Sequence, residues 1–240
     1  RDTLTQGLPG LLLGAGVVVA VTAFNYVQKV YMPTYAINQL HIATSASLVC
    51  TMITGAMLMV MAPAFGLMAD RFGSIRVVSI AMVVIALSTY PMFATLVAHP
   101  TFWTLLVMQA IVGVLLAAIL APLPALLADI FPTRTRGTGL ALSYNLSVTI
   151  FGGFSPLIVT WLIGVTHIKT SPSFYVFATT LISLASLLGG ILNSLDKFWV
   201  NAAAPILLNV AMVVALAVFN GDPFETARAQ AIAVPIGGAL

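Results

Sequence analysis

The feature that most constrains this chain is a train of long apolar runs divided by short polar stretches. They cover residues 8–27, 46–68, 77–97, 102–127, 140–163, 174–195 and 202–219. Each is close to the ~20 residues that an α-helix needs to cross the hydrocarbon core of a bilayer. Inside lipid every backbone N–H and C=O must be satisfied within the segment, so continuous apolar runs of this length are helices. The reading is seven spans in an all-α, polytopic membrane protein. An eighth run starts near Ala229 and is 12 residues long at Leu240, so it reads as a truncated helix. The chain opens on Arg1, and the expectation is that both ends are cut and that the first run is no cleaved signal peptide.

Composition closes the alternative. The chain is 60% hydrophobic and 6% charged, whereas a soluble domain carries about 25% charged residues to cover its surface. The lone Cys50 excludes a disulfide framework and a Cys-rich metal site. A charge of +3 from 9 Lys plus Arg against 6 Asp plus Glu reports orientation rather than a nucleic-acid partner.

Short loops make neighbouring spans antiparallel, and basic residues collect on the cytoplasmic side. Arg1, Arg71, Arg76, Arg134, Arg136 and Lys197 fall on one side, and Lys169 and Arg228 on the other, with Lys29 near the far end of the first span. The start of the chain is thus expected to face the cytoplasm, in a bacterial inner membrane. Pro63, Pro91, Pro122, Pro124 and Pro156 are expected to kink their helices. The pair Pro122 and Pro124, and Gly152-Gly153 before Pro156, mark the fourth and fifth spans as broken near a cavity. Asp70 and Asp129 each end a span and precede two arginines, a weak repeat of one hairpin plan.

Two stretches carry more specific information. Between the second and third spans lies Gly66-Leu67-Met68-Ala69-Asp70-Arg71-Phe72-Gly73-Ser74-Ile75-Arg76. Here Gly66 is expected to allow close helix contact, Gly73 a turn with positive φ, and Asp70 to cap a helix or pair with arginine. Between the fourth and fifth spans lie Pro124, Asp129, Phe131-Pro132-Thr133-Arg134, Arg136 and Gly137-Thr138-Gly139, then Ser143-Tyr144-Asn145. The first stretch resembles the cytoplasmic signature loop of the major facilitator superfamily. The second resembles the equivalent turn in the second half of its metabolite:proton symporter branch, whose relatives carry citrate, 2-oxoglutarate, shikimate, proline or betaine. Asp129 stands where most of that branch has Glu, so the carboxylate is retained.

The resemblance covers residues 1–185 as one six-helix, C-terminal half. It implies a secondary transporter of a small organic metabolite, a carboxylate or a zwitterion, coupled to protons and working by alternating access. An N-terminal six-helix half would complete it. Asp70, Arg71, Arg76, Asp129, Arg134 and Arg136 would then form gating latches at the inner mouth, or else exposed pairs worth about 0–1 kcal/mol.

Polar groups at membrane depth are costly and usually face an interior. Asn25, Tyr26, Gln28, Lys29 and Tyr31 cluster late in the first span, with Asn25 and Lys29 on one helical face. Asn25, Tyr26, Lys29 and Asn145 are the expected substrate contacts. Lys29 has a second reading, in which it snorkels to outer headgroups. Gln109, Tyr144 and Thr149 read as interhelical hydrogen bonders. No Asp or Glu lies deep in a span, so a proton site is expected in the other half.

His41, His99 and His167 fall in outer loops at separations of 58 and 68 residues, which match no local metal spacing. No nucleophile elbow, phosphate loop or paired catalytic carboxylates occur. The expectation is no metal, no cofactor and no enzymatic activity. Residues 186–240, through Leu192-Asn193-Ser194-Leu195 and Pro205 to Asn209, instead resemble an MviN-type lipid flippase fragment. The rival readings are therefore a fragment of a flippase for the lipid-linked peptidoglycan precursor, or a non-transporting fused or truncated membrane protein.

Overall fold

The computed structural model describes residues 2–131 and 133–194. Among them six helical segments are long and apolar enough to cross a membrane. The expected seventh span, the truncated eighth and most of the flippase-like tail lie outside the described residues.

The first span runs on well past the apolar run that announced it. It comprises α1 (Asp2–Asn25), a π-helical turn (Tyr26–Tyr31) and α2 (Met32–Leu40). The polar cluster at residues 25–31 therefore sits inside a continuous helix rather than at its end. The reason is that Val27, Tyr31, Met32, Tyr35 and Ala36 are buried in the core, so the helix is held by packing beyond the polar residues. The second span is α3 (Thr44–Phe72) and the third α4 (Ser74–Ala98). Pro63 and Pro91 are each accommodated within those helices. The fourth span breaks into α5 (Phe102–Leu120) and α6 (Leu123–Ile130), at the expected prolines, because Pro122 has no N–H to continue the ladder. The fifth comprises α7 (Arg136–Ser147), a second π-helical turn (Val148–Gly153) and α8 (Ser155–Thr166), and the sixth is α9 (Ser171–Ser194).

Helix α3 packs on α5, α1 on α9 and α7, and α4 on α9 and α5. The first and fourth spans are the most buried and the second the least. Close contact is bought by glycine at Gly113, where a β-carbon would lie 2.7 Å from the Thr54 carbonyl oxygen. Gly66, expected to serve such a contact, faces open space. Gly73 does adopt the expected positive φ, at 91°, and reverses the chain between α3 and α4. Thr101 caps α5, its hydroxyl accepting from the Thr104 N–H at 3.2 Å.

Candidate functional site

The site is built around the two π-helical turns. Such a turn inserts one residue into the helix and leaves backbone groups to find partners outside the ladder, which is why it recurs at functional positions. Tyr26, Gln28, Lys29 and Tyr31 all lie on the first turn, and Asn25 immediately precedes it. Gln28 and Tyr31 are buried, Asn25, Tyr26 and Lys29 half-buried, and Val30 exposed.

The second π turn lies directly against the first span. A β-carbon on Gly152 would sit 2.6 Å from Cγ2 of Thr22 and 2.9 Å from the ring of Tyr26, so this approach requires glycine. The Phe151 carbonyl is taken up by two hydroxyls: Tyr175 of α9 donates to it at 2.8 Å, and Ser155 also donates. Thr160 donates to the Tyr31 hydroxyl at 3.4 Å. The π turns of the first and fifth spans thus meet, and the sixth span braces their junction.

Polar groups at this depth are unevenly satisfied. Gln109 donates to the Gln28 carbonyl at 3.2 Å and accepts from Thr54 at 2.9 Å, the interhelical role expected for it. The Gln28 side-chain amide, by contrast, has neither its nitrogen nor its oxygen hydrogen-bonded, and Asn25 Oδ1 is likewise buried and unpaired. Buried polar atoms without partners are rare, and besides the hydroxyls of Ser88 and Ser171 those among the described residues belong to Asn25 and Gln28, just before and on the first π turn. Lys29 makes no hydrogen bond or ion pair among the described residues. It lies 11 residues before Leu40, ~16 Å of helical rise from that end.

Asn145 and Thr149 are exposed on the fifth span. The Asn145 amide donates back to the Ala141 carbonyl at 2.8 Å, so no hydrogen bond joins it to Asn25 or Tyr26.

The charged stretches do not form the expected pairs. Asp70 occupies the last turn of α3 and caps nothing; the residue before α4 is Gly73, without a side-chain cap. Asp70, Arg71 and Arg76 are exposed and make no ion pair among the described residues. The same holds for Asp129 and Arg134, while Arg136 donates through Nε to the Phe131 carbonyl at 3.4 Å. Exposed pairs gain little against the entropy of fixing two long side chains. What anchors the second stretch is Phe131, whose ring is seated among Gly10, Gly14 and Gly139. A β-carbon on Gly139 would lie 2.4 Å from that ring.

His41, His99 and His167 follow the C-terminal ends of helices. No group of three or more metal-ligating side chains occurs among the described residues. The π turns, the Gly152 contact and the Phe131 socket were not foreseen. The Gly152-Gly153 pair before Pro156 was the one signal that pointed to this part of the fifth span.

Comparison with known proteins gives the same direction. The model of the Major Facilitator Superfamily matches residues 13–234. The citrate-proton symporter of Klebsiella pneumoniae is 34% identical over 178 residues, covering 72% of this chain and 39% of that protein. The citrate-proton symporter of Salmonella typhi is 30% identical over 185 residues, 77% of this chain and 42% of its own length. The glycine betaine/proline/ectoine/pipecolic acid transporter OusA of Dickeya dadantii is 27% identical over 187 residues, 77% and 36% respectively. The chain spans about two-fifths of the length of these relatives.

Proposed function

This chain belongs to the Major Facilitator Superfamily, and on that footing we propose that it forms the six-helix half of a secondary active transporter. The cargo is a small organic metabolite bearing a carboxylate, either an organic acid or a zwitterion such as a betaine. It moves with protons across the cytoplasmic membrane, by rocking against a second six-helix half.

The observation that carries this reading is the first π turn. It places a half-buried lysine and the unpaired Asn25 Oδ1 inside a span, where polar groups are retained for function. Lys29 supplies charge for a substrate carboxylate, Asn25 and Tyr26 supply hydrogen bonds, and Asn145 meets the substrate from the fifth span. Among the described residues, Asp70 and Asp129 are the carboxylates nearest the spans and both lie in terminal turns. No Asp or Glu falls within the apolar runs of the sequence, so the proton-carrying group is assigned to the other half. Asp70, Arg71 and Arg76, with Asp129, Arg134 and Arg136, open and close the inner mouth; all but Arg136, which is half-buried and donates to the Phe131 carbonyl, are exposed and make no ion pair among the described residues, free to pair across the halves when these approach.

The test is uptake of radiolabelled citrate and glycine betaine by cells that lack transporters for both. The chain is expressed together with the N-terminal half of the Klebsiella symporter. Accumulation of one substrate that collapses with a protonophore is expected. Absence of uptake of either, with both polypeptides present in the membrane, overturns the proposal.

A further inference from the structure

A groove of about 350 Å³ lies between α3, α4 and α5, away from the π turns. Its walls are Phe65 and Phe72 of α3, Ile80 and Val84 of α4 and Ala118 of α5, and its single polar group is Arg76. Ile80 and Phe72 are 66% and 55% exposed, so the groove opens on the outside of the bundle. Arg76 stands near the start of α4 and Val84 is 8 residues further on, ~12 Å along the helix. That is close to the depth of one leaflet, half of a ~30 Å hydrocarbon core.

We infer that this groove is a binding site for an anionic phospholipid, with an acyl chain along the apolar walls and the phosphate on Arg76. Charge decides the occupant. An all-apolar channel of this depth suits any acyl chain, but the one group at its mouth is a guanidinium that forks onto phosphate oxygens. Neither aspartate of the nearby loops pairs with it, and Arg71 adds positive charge on the same turn. Basic pockets between spans at the membrane surface hold anionic headgroups by this combination. The groove is lined by α3, α4 and α5, away from the π turns, and a headgroup on Arg76 would compete there with the pairing across the halves proposed above.

The experiment uses the full chain with Trp103, Trp161 and Trp199 changed to phenylalanine and Phe72→Trp as reporter, with Ile80→Trp as a second, independent reporter. Each is reconstituted in phosphatidylcholine vesicles containing brominated phosphatidylglycerol or brominated phosphatidylcholine, and tryptophan quenching gives the relative occupancy of the groove. Phosphatidylglycerol is expected to be preferred about 5-fold. Arg76→Gln should bring the ratio to about 1 while Arg76→Lys keeps most of it, and Ala118→Leu should lower quenching by both lipids. Equal quenching by the two lipids, or a preference untouched by Arg76→Gln, overturns the inference. Weak quenching by both from both reporters also overturns it, because the groove is then covered by protein.

Discussion

Gly152 and the ring of Tyr26 touch where the two π turns meet, a β-carbon on Gly152 being 2.9 Å from Cε2 of the ring. The contact ties an irregular turn of the fifth span to the polar turn of the first. Tyr175 then fixes the Phe151 carbonyl beside it at 2.8 Å. The irregular turn of the fifth span is thereby packed against Tyr26, one of the residues proposed to hold substrate.

Gly152→Ala should separate the two turns. Its methyl would also meet Thr22 Cγ2 at 2.6 Å, and overpacking of this kind costs about 1–3 kcal/mol. The expected outcome is a lower thermal midpoint for the purified protein, partly restored by Thr22→Ser, which removes that methyl. An unchanged midpoint in Gly152→Ala would mean that the spans separate freely.

Tyr175→Phe keeps the ring and removes the donor to Phe151. Interhelical hydrogen bonds in membranes contribute about 0.6–1.7 kcal/mol, and the variant should lose stability in that range in a denaturant titration. In Ser155→Ala the same substitution should cost more, because no hydroxyl then remains on the carbonyl; equal costs would show that the two donors act independently.

Lys29→Gln removes the half-buried cation of the first π turn. If it meets a substrate carboxylate, the half-saturation concentration for uptake should rise about 10-fold or more, the effect of losing a charge-assisted hydrogen bond of about 1.5–3 kcal/mol. An unaltered value assigns Lys29 to the headgroups.

Asp70→Asn should slow uptake while leaving membrane insertion intact, because Asp70 is exposed and makes no contact on which the half-bundle depends. Equal initial rates in both proteins would remove Asp70 from the gate.

His41 and His167 hold φ of 56° and 55°, a left-handed conformation that costs a side-chain-bearing residue about 1–2 kcal/mol. Both are exposed. Glycine at either position should raise stability by about 1 kcal/mol, visible as a higher thermal midpoint, and a fall would show that the imidazole makes a contact of its own.

The spans were legible because the bilayer imposes one rule on the backbone and ~20 apolar residues satisfy it. The breaks at Pro122 and near Gly152 were legible because proline lacks a donor and glycine lacks a side chain. The reach of the first span to Leu40 was not, since polar residues from 25 to 31 interrupt its hydropathy and only the burial of Tyr35 and its neighbours carries the helix through them. Gly66 failed in the opposite sense: a small residue permits close approach, but whether a helix arrives is decided by the bundle.

The sequence by itself therefore determined membrane class, span order, the Gly73 turn and the family of folds, all properties set by local composition and backbone chemistry. Only the tertiary structure decided that the polar turn meets Gly152, that Gln109 is spent on Thr54 and Gln28, and that Phe131 rather than an ion pair seats the loop after the fourth span. Those outcomes depend on which faces of distant helices touch. Packing selects them through sub-ångström fits between side chains far apart in the chain, and no local pattern encodes that choice.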